Sequence, residues 1–85
     1  MYLAVKKVKP KKDYLLILTF ENGEEREFDV KPFLEMGIFR ELKEEAVFNS
    51  VRVNFDSIEW NNQADLDPEI LYQNSRPLSN LKIKV

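Results

Sequence analysis

A chain of 85 residues with neither cysteine nor histidine makes one domain and offers no disulfide framework, thiolate zinc site, thiol nucleophile or imidazole base. Its net charge of −2 argues against nonspecific nucleic-acid binding by the whole surface. No apolar run approaches the roughly 18 residues that cross a bilayer. About a third of the residues are Leu, Ile, Val or Phe, which is enough for one modest core.

Tyr2 to Val8 reads as a strand with Leu3, Val5 and Val8 inward, ended by Pro10, which cannot donate to a ladder. Lys6, Lys7, Lys9, Lys11 and Lys12 fall here with no acid among them. We read them as charge that keeps an edge strand soluble, with a phosphate-binding patch as the alternative. The opening Met1-Tyr2-Leu3-Ala4-Val5 is too short for the apolar part of a secretion signal, and the expected location is the cytoplasm.

Tyr14 to Phe20 is apolar on both faces except at Thr19 and is expected to be a central strand, turning at Asn22-Gly23 and returning over Arg26 to Val30. A three-residue loop with Gly23 in the left-handed position sets Leu16 opposite Phe28 and Tyr14 opposite Val30, gathering the apolar residues on one face. Leu15 and Ile17 then need cover on the other.

Pro32 suits the first turn of a short helix, with Gly37 as its left-handed cap and Phe33 and Leu34 facing the core. A second short helix is expected over Phe39 to Lys43, and one further turn over Ala46 to Ser50. Val51 to Phe55 alternates as a half-buried strand with Val51, Val53 and Phe55 inward. A tight turn at Asp56-Ser57 leads to a partner strand Ile58-Glu59-Trp60. Asp67-Pro68-Glu69 starts a helix that runs to about Gln73, and Leu81 to Val85 alternates as a final strand. The expectation is an α+β domain: a small antiparallel sheet of about five strands with two or three short helices packed on it.

One ordered set of residues goes further. It runs Leu16, Leu18, Phe20-Glu21-Asn22-Gly23-Glu24, Phe28-Asp29-Val30, Pro32-Phe33-Leu34, Gly37, Phe39 and Leu42. It continues with Phe48, Val51, Val53, Ile58, Trp60, Asn62, Ala64-Asp65-Leu66-Asp67-Pro68-Glu69 and Leu71-Tyr72. Over about residues 3–73 the chain resembles a small bacterial family known as domain of unknown function 2442. The resemblance implies a compact α+β domain with an antiparallel sheet. It implies a protein that stands alone or is joined to a helix-turn-helix domain, and is often encoded beside another short protein with which it is suggested to form a toxin–antitoxin pair. No catalytic residues come with it. The chain departs from the family at Asn61-Asn62-Gln63, where a Pro-Asn-Gly-like turn is more usual, and beyond Tyr72.

No enzyme chemistry is singled out. Asp65, Asp67 and Glu69 alternate as cation ligands can, but Asp67 is better read as a helix cap and Glu69 as a complement to the helix dipole. The serines have no histidine to activate them. We expect no cofactor and no metal. Trp60 is either a core anchor or, with Tyr72, an exposed interface hot spot. The functional expectation is a protein-binding module with a small partner encoded nearby, antitoxin-like, using Trp60, Tyr72, Leu81 and Ile83. Nucleic-acid contact through the five lysines is the alternative, and pairing of edge strands between copies a third reading.

Overall fold

A computed structural model of the protein describes residues 2–78, so the strand expected over Leu81–Val85, with Leu81 and Ile83, lies outside the described residues. The elements are β1 (Val5–Lys11), β2 (Leu15–Phe20), β3 (Glu25–Asp29), α1 (Glu45–Phe48), β4 (Arg52–Asn54), β5 (Ser57–Glu59), β6 (Asp65–Leu66), α2 (Pro68–Gln73) and β7 (Arg76–Pro77). Tight 3-10 turns cover Lys12–Tyr14, Lys31–Phe33 and Gly37–Lys43. The fold is α+β, as expected. The strands make two antiparallel sheets rather than one: β1-β2-β3-β7 and β4-β5-β6.

The first sheet is organised by β2. Leu16, Leu18 and Phe20 are fully buried and alternate with half-buried Leu15, Ile17 and Thr19. The register with β3 is the apolar one, with Leu16 opposite Phe28, and Val30 N–H donates to the Tyr14 carbonyl. It is set by a three-residue loop in which Gly23 has φ 90° and its N–H donates to the Phe20 carbonyl.

β1 departs from expectation at both ends. It begins at Val5 and runs through Pro10, which sits opposite Leu16. Proline is tolerated because β1 is the edge strand of this sheet. A bulge at Lys6 shifts the register between Val5 opposite Phe20 and Lys7 opposite Thr19. The extra residue lets Val5 and Val8, an odd number of positions apart, both turn to the core.

The second sheet closes over the same core. Ile58, Trp60, Ala64 and Leu66 join Leu34, Leu42, Phe48 and Leu71 against β2 and β3. Gly37 has the positive φ expected of it, 48°, but opens the Gly37–Lys43 turn instead of capping the Lys31–Phe33 turn.

The hairpin between the short strands corrects a second expectation. Asn54 pairs with Ser57, so the loop is Phe55-Asp56, and Phe55 is 93 % exposed instead of inward. Val51 and Val53 do pack against the core. The alternation is real, but the strand stops one residue before its last apolar member.

The two faces of β2 carry different weights. Leu16→Ala is expected to lower the unfolding free energy by about 3 kcal/mol, and Leu15→Ala by less than about 1 kcal/mol. Denaturant titration of the two variants checks this, and equal losses would contradict the register.

Candidate functional site

The segment Ile58–Tyr72 begins where β5 delivers Trp60 into the core. Trp60 has no exposed surface, and its Nε1–H donates to the Phe48 carbonyl at 3.0 Å. Its ring lies 6.3 Å from Phe39 and 6.4 Å from Phe48. The interface reading of Trp60 is thereby corrected: the indole has spent both its area and its one donor inside the molecule.

Asn61-Asn62-Gln63 form a three-residue loop with the hydrogen bonds of the Gly23 loop. Trp60 N–H donates to the Ala64 carbonyl and Gln63 N–H to the Trp60 carbonyl, as Phe20 N–H does to Glu24 and Gly23 N–H to Phe20. Asn62 Oδ1 accepts from Ala64 N–H just as Asn22 Oδ1 accepts from Glu24 N–H. The difference is the third residue, where Gln63 takes φ 73° in the place of a glycine. A left-handed conformation costs an L-residue roughly 1–2 kcal/mol.

Beyond the turn, Asp67 caps α2 by accepting from Glu69 N–H at 3.3 Å, with Pro68 following in the first turn. Asp65 and Glu69 are exposed, and among the described residues no three acidic side chains converge as a metal site requires.

Tyr72 is half-buried on α2 and serves as a strut. The Arg26 guanidinium lies 4.2 Å over its ring, and Phe20 meets that ring edge-on at 5.2 Å. Its hydroxyl donates to Glu24 Oε1 at 2.7 Å, and Arg26 reaches on to the Ser75 hydroxyl at 2.7 Å. Hydrogen bonds from Asn22 and then Tyr72 hold the Glu24 carboxyl below its ordinary pKa. The bond to Glu24 in turn raises that of the Tyr72 phenol. With Trp60 buried, the two aromatics share no surface.

The lysines divide by position. Lys7, Lys9 and Lys11 stand opposite Thr19, Ile17 and Leu15, which places them on the outward face of the sheet. Lys6 occupies the bulge and Lys12 the following turn, and all five are exposed. Two strands away on the same face stand Glu25, Glu27 and Asp29. The outer edge of β1 is not bare along its length, since Val5 N–H donates to the Asp56 carbonyl of the second hairpin.

The feature that sequence reasoning missed is the tip of that hairpin. Phe55 holds φ 58° with its ring in solvent. Beside it lies a shallow cleft of about 450 Å³ that includes Tyr2, Asp56, Leu66, Asp67 and Pro68. Tyr2 is itself an exposed aromatic, and its hydroxyl donates to Asp56 Oδ2 at 2.6 Å. No local signal marks it, because Asp56-Ser57 carries the better turn chemistry and phenylalanine is a poor residue for a positive φ.

What fold and site define together is a small two-sheet α+β domain whose conspicuous feature is an apolar, acid-rimmed hairpin tip. Residues 5–77 match the model of the family described as Protein of unknown function (DUF2442), and the chain belongs to that family. No curated protein and no solved structure matches it.

Two expectations test this geometry. Gln63→Gly is expected to stabilise the fold by about 1 kcal/mol and Gly23→Gln to destabilise it by a similar amount, since only glycine holds positive φ without penalty. Denaturant midpoints measure both. Tyr72→Phe is expected to raise the Glu24 pKa part-way to its ordinary value, leaving the Asn22 contribution in place. Carboxyl-detected NMR titration reads this directly. The sign follows from the shifts: the Glu24 contribution to stability is present above its unfolded pKa and lost as pH falls through the lowered folded value. The Tyr72 contribution is present below the ordinary phenol pKa and lost as pH rises through the raised one.

Proposed function

We infer that the protein is a non-catalytic protein-binding module that engages its partner with the Phe55 hairpin tip. The observation that carries this reading is a phenylalanine that is 93 % exposed in a strained left-handed conformation at the end of a two-residue loop. An exposed aromatic gains the fold nothing, and the strain counts against it. Such a residue persists where recognition uses it. Asp56, Asp65 and Asp67 lie around the adjacent cleft. The matching partner surface therefore presents an apolar pocket or side chain flanked by basic groups.

The finer reading is an antitoxin-like role in the cytoplasm, toward a small protein encoded beside it. It rests on the gene arrangement that the family resemblance implies. No helix among the described residues is long and apolar enough to cross a membrane. The acidic column Glu25, Glu27 and Asp29 weighs against nucleic-acid binding at the lysines, because a polyanion laid along β1 meets carboxylates roughly 10 Å away.

Phe55→Asn separates recognition from folding, since asparagine accepts the left-handed region and no packing is lost. It is expected to raise stability by about 0.5–1 kcal/mol while weakening the complex at least roughly tenfold. Co-expression with the neighbouring gene's product, followed by co-purification and a growth assay, tests the reading. Absence of a complex, or a complex indifferent to Phe55→Asn, overturns it.

A further inference from the structure

The core uses one face of the first sheet; the other face is patterned and, among the described residues, stays outside the core cluster. Its rows follow from the strand registers. Lys7, Thr19 and Glu25 stand side by side; then Lys9, Ile17, Glu27 and Arg76; then Lys11, Leu15 and Asp29. Across the strands the face therefore reads as a basic column, a central column of Leu15, Ile17 and Thr19, and an acidic column. Leu15 and Ile17 are half-buried, yet they are absent from the apolar side chains that pack against the core.

Among the described residues the columns are incompletely neutralised. Arg76 spends both its hydrogen bonds on Glu27 Oε1, at 2.8 and 3.1 Å, and Lys31 lies 3.2 Å from Asp29. Among the described residues Glu25 and the three lysines form no ion pair within 4.0 Å.

We propose that this face binds a second copy of itself, packed sheet on sheet about a two-fold axis that runs along β2. The charge pattern selects both occupant and axis. Rotation about a line parallel to β2 exchanges the flanking columns and leaves the central one in place. It sets Lys7 over Glu25, Lys9 over Glu27 and Lys11 over Asp29 of the other copy, with Ile17 and Leu15 meeting their own counterparts. An axis across the strands would instead set lysine on lysine. Facing sheets lie roughly 10 Å apart, a gap that a lysine and a glutamate reaching toward each other can span. The side of the face nearest β4 is a groove of about 640 Å³ that includes Lys7, Lys9, Ile17, Thr19, Glu25 and Arg52, where three basic groups outnumber one acid and face the partner's acidic column.

The strand and residue spacings give this patch only roughly 300–400 Å² per copy. That is small against the ~800 Å² per partner of a standard interface, so the dimer is weak and its charges matter. The surface is separate from the Phe55 tip and leaves that tip free.

Sedimentation equilibrium of the full chain from roughly micromolar to millimolar concentration tests the proposal, because weak interfaces populate that range. The expected result is a monomer–dimer equilibrium that weakens roughly tenfold from low to high salt. Ile17→Asp abolishes it. Lys7→Glu and Glu25→Lys each weaken it, and the double variant restores it. All these positions lie off the core, and far-UV circular dichroism confirms that each variant is folded. A wild-type monomer at every concentration overturns the proposal, whether the face stays bare, is taken by residues 79–85 or is kept for a different protein. A dimer indifferent to Ile17→Asp, or single reversals that the double variant does not rescue, also overturns it.

Discussion

A connected series of aromatic rings holds the two sheets together. Phe28 lies 5.6 Å from Phe33, Phe33 6.0 Å from Phe39, and Phe39 6.3 Å from Trp60. Trp60 passes the contact to Phe48, whose ring Tyr14 meets edge-on at 5.2 Å. Most steps reach a part of the chain that has little regular structure of its own. The 3-10 turns at Lys31–Phe33 and Gly37–Lys43 are too short to be stable alone and exist because their aromatic residues pack here. Trp60 adds a hydrogen bond, to the Phe48 carbonyl at the end of α1. Tyr14 adds another, its hydroxyl donating to the Lys43 carbonyl at 2.6 Å. That anchorage accounts for a tyrosine at φ 62° in the loop between β1 and β2.

How much of this could be read from the chain depends on whether local chemistry decides the matter. The β2–β3 register was legible because Gly23 sets the loop and a one-residue slip would scatter Leu16, Leu18 and Phe28. The α2 start was legible because a cap and a following proline act within a few residues. Pro10 misled because proline interrupts a central strand but is tolerated in an edge strand, and the flanking lysines that mark β1 as an edge bear on the proline as well. Phe55 misled because alternation reveals a period and not where the strand ends. Trp60 could not be placed at all. Core and interface want the same side chain, and only the assembled ring series decides between them. The bulge at Lys6, without which Val5 and Val8 could not both face the core, leaves no mark in the residues beside it.

The division of labour among the surfaces follows from the same facts. β2 is apolar on both sides, and one side is consumed by folding. The hairpin of β4 and β5 carries Ile58 and Trp60 inward while holding Phe55 out at its tip. Tyr72, Arg26 and Glu24 look like a polar cluster awaiting a ligand, but they satisfy one another and tie α2 to β3. The apolar surface that the fold leaves out is not where the distinctive side chains of the sequence fall.

The two matching three-residue loops carry a consequence for the order of folding. The loop with Gly23 closes at no conformational penalty and joins strands that are adjacent in the chain. The loop with Gln63 must force an ordinary residue into the left-handed region before β6 can pair. Local closure without strain favours early pairing, so the β2–β3 hairpin is the natural nucleus and the β5–β6 hairpin a late arrival that condenses on it. The sole tryptophan flanks the late loop. Its fluorescence therefore records the last step of assembly and is silent about the first.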